Sequence, residues 1–416
     1  MRLSPRAGFV LAATIFISLM AAAAAPSPLY PVYQSRWGFS SFTLTLIFAV
    51  YVFALLAALL TAGSISDHIG RRPVIAIGLL LLCGSMLIFI FAGGPGDLMA
   101  ARIVQGLATG FITATVTAMI VDLQPSSSTG SIVTGSSPTT GIAIGAVLAG
   151  ALVQYAPWPR FLVYWVLLAV YLLMLALLAL APEPVGSPRP HRSIVLRALR
   201  PSAGVAVPAR TVFVAMVPAL CATWALGGLY LSLGSSAVAE VFGIRNHFVA
   251  GLILGAFFLS GAIGSVIAMR LPAGLQRAFS YTALASGVIL SVVATLTSTI
   301  ALYVAGSVVA GLGFGATFLM AMSAIAAVTP PAERGQTFAT TFVVSYAAFS
   351  VPAVAAGLAA QQWGLRGTLV GYGVLDVSLV VLATLMALRT RSATADEPAA
   401  SKGPCVDVGS YAVPSE

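Results

Sequence analysis

Long apolar runs separated by short polar segments dominate the pattern of this chain. A helix that crosses a bilayer needs about 20 apolar residues, and about twelve stretches come near that length. The predicted spans, numbered one to twelve, are 8–29, 42–62, 74–92, 98–122, 131–154, 161–181, 211–234, 248–269, 279–297, 300–328, 336–360 and 367–388. The pattern therefore predicts an all-α polytopic membrane protein with about twelve transmembrane helices.

Composition agrees with a membrane setting. Hydrophobic residues make up 59% of the 416 residues, charged residues 7%, and the mean hydropathy is +1.02. A soluble domain is about 45–50% apolar and about 25% charged, so this apolar excess is too large for a soluble core. The three cysteines, Cys83, Cys221 and Cys405, form no Cys-x-x-Cys or Cys/His cluster. We therefore expect no metal site and no cofactor.

The positive charges alternate along the chain. Fifteen of the 20 Lys and Arg residues fall in segments on one predicted side of the membrane, four fall on the other, and Arg102 lies within a span. Because cytoplasmic loops are enriched in Lys and Arg, both termini are predicted on the cytoplasmic side of a bacterial-type inner membrane. This topology also explains the net charge of +9 without a nucleic-acid partner.

The two halves of the chain contain a weak internal repeat. Gly and Pro residues of span four and the loop after it have identical counterparts 205 residues later, in span ten and the loop after it. The pairs are Gly106 and Gly311, Gly110 and Gly315, Pro125 and Pro330, and Gly130 and Gly335. The predicted organisation is a six-helix half at 1–181, a cytoplasmic linker at 182–209, a second six-helix half at 210–389 and a disordered cytoplasmic tail at 390–416. The basic and apolar start also resembles a cleaved signal peptide, but the repeat needs span one to complete its half.

A charged, glycine-containing loop stands between spans two and three. Its spaced glycine, aspartate and arginine positions are Gly63, Asp67, Gly70, Arg71 and Arg72. This loop, together with twelve spans in two related halves, resembles the major facilitator superfamily of secondary transporters. The resemblance implies that the loop and Asp122, at the cytoplasmic end of span four, form a charge network that latches the halves when the cytoplasmic side is closed. A solvated carboxylate at the interface is the alternative for Asp122.

Span four carries a second match to that superfamily, formed by Arg102, Gln105, Gly106 and Gly110. Arg102 lies only about 7–8 Å into its span, so an arginine whose head group snorkels to the interface is one interpretation. The functional interpretation is a fixed positive charge that tunes a nearby proton site or binds an anionic group.

Small residues in span five match, in part, a glycine-rich pattern found in antiporters of the superfamily. Gly141, Gly145 and Gly150 fit, whereas Ala146 and Ala149 replace a proline and a glycine. Because small residues let helices approach closely, we predict helix packing for these glycines. Pro352 of span eleven lies near the corresponding position of the second half and receives the same prediction. The two departures leave the direction of transport open.

The resemblance places a binding pocket at the midplane between the halves, with spans one, four, seven and ten as walls. The polar and small candidates on span four are Arg102, Gln105, Gly106, Thr109 and Thr113, of which the four polar residues recur at helical spacing. The aromatic candidates are Trp224 and Tyr230 on span seven and Phe314 and Phe318 on span ten. Such walls suit amphipathic small molecules, with packing or interfacial anchoring as the alternative for each aromatic residue.

One acid, Asp376, lies near the middle of span twelve. An unpaired carboxylate there costs about 2.5–3.5 kcal/mol on insertion scales, so we expect it to be neutral, paired or facing water. A role in proton coupling, in helix packing or in a dimer contact remains open for this residue.

Taken together, these patterns predict a proton-coupled secondary transporter that exports small organic molecules by rocking of its halves. Its expected partners are the lipid bilayer, a small-molecule substrate and protons. No Gly-x-x-x-x-Gly-Lys-Ser/Thr loop is present, so ATP is not the expected driver. An importer or facilitator of a sugar or organic acid, and a non-transporting membrane receptor, are the alternatives. An enzyme is not predicted, because we find no nucleophile or metal cluster.

Overall fold

The computed structural model describes residues 3–62, 66, 69–184 and 204–395. Every regular element in these residues is helical, and eleven helical segments are long and apolar enough to cross a membrane. The all-α polytopic prediction is therefore confirmed. Gly63 and Asp67 of the charged loop lie outside the described residues, as do most of the predicted linker and the chain beyond Ala395.

The first six long helices follow the predicted spans closely. They are α1 (Pro5–Ala24), α2 (Ser41–Ala62), α3 (Arg71–Phe91), α4 (Pro95–Leu123), α5 (Ser127–Tyr155) and α6 (Leu162–Leu180). Pro26 and Pro28 follow the end of α1 in a short 3-10 turn, Ser27–Leu29. A second short helix, Tyr30–Trp37, then leads to Gly38, whose φ of +64° ends it.

The second set of helices begins after the linker. It comprises α7 (Arg210–Glu240), α8 (His247–Arg270), α9 (Ala273–Thr297), α10 (Ile300–Val328) and a helical stretch, Arg334–Ala395, that is interrupted at Gly364. Gly364 has a φ of +70°, which favours glycine. We label the residues before it α11 and those after it α12, and so recover the twelve spans. The helix α12 continues to Ala395.

Polar residues at helix starts explain several of these boundaries. The Ser4 and Ser126 hydroxyls accept backbone N–H groups of α1 and α5, and Asn246 Oδ1 accepts the Phe248 and Val249 N–H groups of α8. These side chains satisfy donors that the helix itself leaves unpaired. Each of them marks the change from a loop to a spanning helix.

Equivalent glycines pack equivalent helices in the two halves. A Cβ at Gly106 or Gly110 of α4 would strike the carbonyl oxygens of Tyr51 or Leu55 in α2. The repeat partners on α10 behave alike, because a Cβ at Gly311 or Gly315 would strike the carbonyl oxygens of Phe257 or Gly261 in α8. The repeated glycines therefore set the distance between the fourth and second helices of each half.

The two halves contact each other toward one end of the bundle, the end at which α1 finishes and α2 begins. Gly150 of α5 lies against the backbone of α8 at His247 and Gly251, and Gly357 of α11 lies against Ser41 and Thr45 of α2. Hydrogen bonds add to this contact zone. They run from Ser27 Oγ to Leu231 O (2.6 Å), from Ser236 Oγ to Gln34 Oε1 (3.2 Å) and from His247 N to Gln154 Oε1 (2.9 Å).

Candidate functional site

A buried arginine is the centre of the polar site in the first half. Arg102 of α4 is fully buried. Its Nη1 donates to Ala23 O (3.0 Å) and Gln105 Oε1 (2.9 Å), and its Nη2 donates to Tyr30 OH (2.6 Å). Its guanidinium carbon also lies 5.1 Å from the centre of the Tyr51 ring, within the range of a cation–π contact. The guanidinium therefore points into the protein, which argues against the snorkelling alternative.

The groups around Arg102 are neutral. Gln105 donates from Nε2 to Ala22 O (2.8 Å) and so joins α4 to the end of α1. Among the described residues, Arg102 forms no ion pair with an acidic side chain, and its Nε has no hydrogen-bond partner. A buried cation without a counter-ion is costly. The buried guanidinium therefore gives this region a positive electrostatic potential.

The remaining span-four candidates play two different roles. Thr109 and Thr113 donate their hydroxyls to carbonyls one turn earlier, at Gln105 O and Thr109 O, both at 2.7 Å. Thr109 is buried, whereas Thr113 is half-buried. Gly106, predicted among the coupling or substrate residues, instead lies against the α2 backbone and is a packing residue.

An aromatic cluster occupies the second half. Trp224 of α7 lies within 5.5 Å of Phe318, Phe349 and Tyr346, measured between ring centres. Trp224, Phe318 and Tyr346 are only half-buried, and the buried Nε1 of Trp224 has no hydrogen-bond partner among the described residues. This cluster therefore combines aromatic faces with an unused donor.

The other two aromatic candidates pack against different rings of the same half. Phe314 contacts Phe257 and Phe258 with ring centres 5.3 and 5.7 Å apart. Tyr230 stacks on Phe257 at 4.1 Å and pairs its hydroxyl with Ser307 Oγ at 2.7 Å. Tyr230 is thus a core residue whose polar atom is satisfied, and it does not join the Trp224 cluster.

Helix α2 connects the arginine site with the aromatic cluster. Tyr51 lies under the Arg102 guanidinium, and Phe48, about one turn earlier, contacts Phe349 with ring centres 5.1 Å apart. The sequence analysis missed Tyr51, Phe48 and Phe349. Their only signal was aromatic character within apolar spans, which does not distinguish a site residue from core packing.

The predicted latch residues that the structure describes lie together at the opposite end of the first half. Arg71 Nε donates to Asp122 Oδ2 at 3.1 Å, and Arg71 Nη1 donates to Ser66 Oγ at 2.6 Å. Arg72 donates to the last carbonyls of α6, at Leu178 O (3.1 Å) and Ala179 O (2.5 Å). These contacts join α3, α4 and α6 within one half.

Glu183, which the sequence analysis did not single out, completes this cluster. Its two carboxylate oxygens accept the backbone N–H groups of Arg71 and Arg72, each at 2.9 Å. An acid at a helix start satisfies unpaired donors and complements the helix dipole. Gly70 has a φ of +97°, and a Cβ there would lie 3.0 Å from Glu183 Oε2. Glycine is therefore needed at position 70 for two reasons.

The four residues predicted to pack helices lie at three different helix contacts. A Cβ at Gly141 or Gly145 of α5 would meet the backbone of α1, at Ile17 or Ala21. Gly150 faces α8 of the other half. Pro352 of α11 is half-buried and lines a groove between α11 and α12.

Asp376 lies in a separate pocket, whose lining includes the candidate Pro352 but not Arg102. It lies on α12 between α7 and α11, is 1% exposed, and lines a pocket of about 380 Å³. Neither carboxylate oxygen has a hydrogen-bond partner among the described residues. The structure thus does not bring Asp376 to Arg102.

Comparisons with known proteins identify the class. A family profile described as Major Facilitator Superfamily matches residues 11–292, which is more than half of the chain. The chain therefore belongs to the Major Facilitator Superfamily. It is a multi-pass membrane protein and a secondary transporter.

Individual relatives are similar over shorter stretches. The quinolone resistance protein NorA of Staphylococcus aureus is 29% identical over 99 residues, which are 24% of this chain and 26% of NorA. An uncharacterized transporter of Rickettsia bellii is 30% identical over 129 residues, or 30% of this chain and 32% of that protein. The matched stretches thus span about a quarter to a third of these relatives.

Solved structures share the whole fold at low identity. A bacterial homolog of the human lysosomal transporter Spinster, solved in an inward-facing and unoccupied conformation, has a TM-score of 0.74 and 14% identity, covering 93% of this chain and 98% of its own. The peptide transporter POT in complex with sulfate gives the same TM-score and identity, covering 92% and 94%. These likenesses establish the fold alone.

Proposed function

We propose that this transporter exports small amphipathic organic molecules in exchange for protons. The observation that supports the proposal is that one helix, α2, contacts both a buried cationic site and an aromatic cluster. The first half supplies a buried, uncompensated cation at Arg102, and the second half supplies the half-exposed aromatic cluster around Trp224. Helix α2 touches both through Tyr51 and Phe48. A ligand with an aromatic body and a polar or anionic group would use both surfaces.

The contact zone between the halves supports loading from the cytoplasm. The arginine distribution predicts that the end at which α1 finishes lies outside the cell. The halves contact each other toward that end, so this arrangement loads substrate from the cytoplasm. Transport then needs the halves to separate there and to approach each other at the other end, near the Arg71–Asp122 pair.

Protons are the proposed driving ion. The chain contains no nucleotide-binding loop, and export against a gradient needs a coupled downhill flow. Substrate or proton binding shifts the two-state equilibrium only by its differential affinity for the two states. The field of Arg102 couples the two events, because a ligand that brings negative charge is favoured there and a proton that neutralises this charge weakens the attraction.

The similarity to NorA supports drug-like molecules as the proposed substrates. NorA is named for quinolone resistance, and a quinolone combines a flat aromatic body with a carboxylate. This chemistry fits the pairing of aromatic faces with a buried guanidinium. Quinolones therefore belong in the first panel of compounds to be tested.

A resistance screen tests the proposal. The full chain is expressed in a bacterial strain stripped of its own efflux pumps and challenged with quinolones, cationic dyes and other antibiotics. We expect a raised inhibitory concentration for at least one compound, and its loss in Arg102→Gln and in Asp67→Asn at equal membrane expression. No resistance to any compound, together with no proton movement when compounds are added to vesicles, would contradict the proposal.

A further inference from the structure

A groove runs between α11 and α12 on the outer surface of the bundle. Its wider part, of about 720 Å³, begins near Trp363, close to the break at Gly364. Its inner part, of about 380 Å³, lies between α7, α11 and α12. The two parts share Pro352, Tyr372 and Leu375, so they form one continuous groove.

A single carboxyl group lies at the inner end of this groove. Asp376 is 1% exposed, and both of its carboxylate oxygens lack a hydrogen-bond partner among the described residues. Tyr372, one turn earlier, donates its hydroxyl to Ala225 O at 2.7 Å and not to the acid. Asp376 follows Gly364 by about 18 Å of helix, which places it near the middle of the membrane.

Among the described residues, no positively charged side chain lines the groove around Asp376. The titratable side chains near it are Cys221 and Tyr230 on α7 and Tyr372 on α12, and the residues of α11 that line the inner part are apolar. No lysine, arginine or histidine of the described chain lines either part of the groove. The carboxyl group is therefore held without a counter-ion, in a setting where the ionised form is costly.

The groove opens toward the lipid. Val351, Leu358, Trp363 and Leu375 are 48–74% exposed, and exposed apolar side chains on a membrane-spanning bundle face hydrocarbon. A ligand that reaches Asp376 along this path must dissolve in the bilayer and carry one basic group. A lipophilic amine has both properties.

We propose that Asp376 is the binding group of a bilayer-accessible site for lipophilic amines. The neutral amine is the form that dissolves in hydrocarbon. On reaching the carboxyl group it takes the carboxyl proton, so that an ammonium–carboxylate pair forms and no net charge enters the groove. The site is separate from the central one and does not depend on the proposed export function.

Binding of dansylcadaverine to the full-length protein in phosphatidylcholine nanodiscs tests this assignment. The probe is a fluorescent lipophilic amine, and its N-acetylated form is the uncharged control. We expect Asp376→Asn to raise the Kd of the amine about tenfold or more, because the charged partner is lost. The acetylated probe is expected to bind weakly, and equally, to wild type and variant.

A second variant blocks the groove without touching the acid. Gly371 lines the wider part, and a Cβ there meets nothing within 4 Å. Gly371→Leu should therefore fold and weaken amine binding by filling the groove. Gly84→Leu on α3, where a Cβ also meets nothing within 4 Å, is the matched control and should bind as wild type does. Arg102→Gln should also keep amine binding, which separates this result from the transport screen.

Three outcomes would overturn the assignment. The first is equal affinity of wild type and Asp376→Asn for the amine. The second is an equal loss of affinity for the acetylated probe, which would indicate a general apolar groove. The third is a wild-type dimer that Gly371→Leu dissociates while amine binding stays unchanged, which would make the groove an interface between copies. Thermal unfolding confirms the fold of each variant.

Discussion

At the residue scale, Arg102 is buried in the first half with no acidic partner among the described residues. Carbonyl, amide and phenol oxygens accept its N–H groups, and the Tyr51 ring lies beside the guanidinium. These neutral partners satisfy hydrogen bonds but leave the net charge in place. The positive charge therefore remains uncancelled by these contacts, which is why we propose a functional role for Arg102.

Replacing this arginine separates its charge from its contacts. Arg102→Gln removes the charge and leaves the acceptor atoms of Ala23 and Gln105 without their donor, which costs about 1–3 kcal/mol each. We expect transport to fall at least about tenfold, since the attraction for the ligand is lost. Tyr30→Phe removes one acceptor and keeps the charge, so it should retain most transport. Accumulation of the compound in everted vesicles at equal expression measures both, and full activity of Arg102→Gln would contradict the proposed role.

Gly70 allows a second test at single-residue scale. Its φ of +97° and the nearby Glu183 carboxylate both oppose a side chain. Gly38 also has a positive φ, of +64°, but a Cβ there meets nothing within 4 Å. Gly38→Ala should cost about 1 kcal/mol through the backbone alone. Gly70→Ala should lower the midpoint of thermal unfolding further, because it also displaces the Glu183 cap. Equal midpoints for the two variants would show that the cap contributes little.

At the scale of helices, the glycines at crossing points determine which helices approach closely. Gly106 and Gly311, which are repeat partners, hold the fourth helix of each half against its second helix. Gly150 and Gly357 hold the two halves together. A backbone contact leaves no room for even one methyl group. The distance between the two helix axes at each crossing is therefore fixed by the glycine.

The crossings between the halves predict a conformational effect. Gly150→Ala and Gly357→Ala should push α5 from α8 and α11 from α2, and so favour the state in which this end is open. Gly84→Ala, at a glycine with free space around it, is the control and should leave the equilibrium unchanged. Labelling of cysteines introduced beside Gln34 and Ser236 reports the opening. Unchanged labelling in both crossing variants would refute the role of these contacts.

The positions of the helices could be predicted well from the sequence, but the contacts between them could not. Apolar length was sufficient to find the spans, because a bilayer demands it. A charge network that includes Arg71 and Asp122 was implied by the family resemblance, with both residues predicted at one membrane face. Glu183 capping α3, and Tyr346 and Phe349 joining Trp224, depend on which helices are neighbours in space. A single sequence of apolar helices does not encode that in any local pattern.

At the scale of the whole molecule, the structure has its interhalf contacts toward one end and the Arg71–Asp122 cluster at the other. The cluster lies within the first half in this arrangement. Its proposed latch role belongs to the opposite state, in which the second half would approach it. The structure is thus one state of a transport cycle, and the placement of charge predicts the other.

Proton-coupled export is the central claim, and proton release from everted membrane vesicles tests it most directly. Respiration acidifies the vesicle lumen, and the compound identified by the resistance screen is then added. Proton-coupled export predicts accumulation of the compound together with proton release from the lumen, and both should be strongly reduced in Arg102→Gln vesicles. Movement of the compound only down its own gradient, with no effect on lumenal pH, would contradict it.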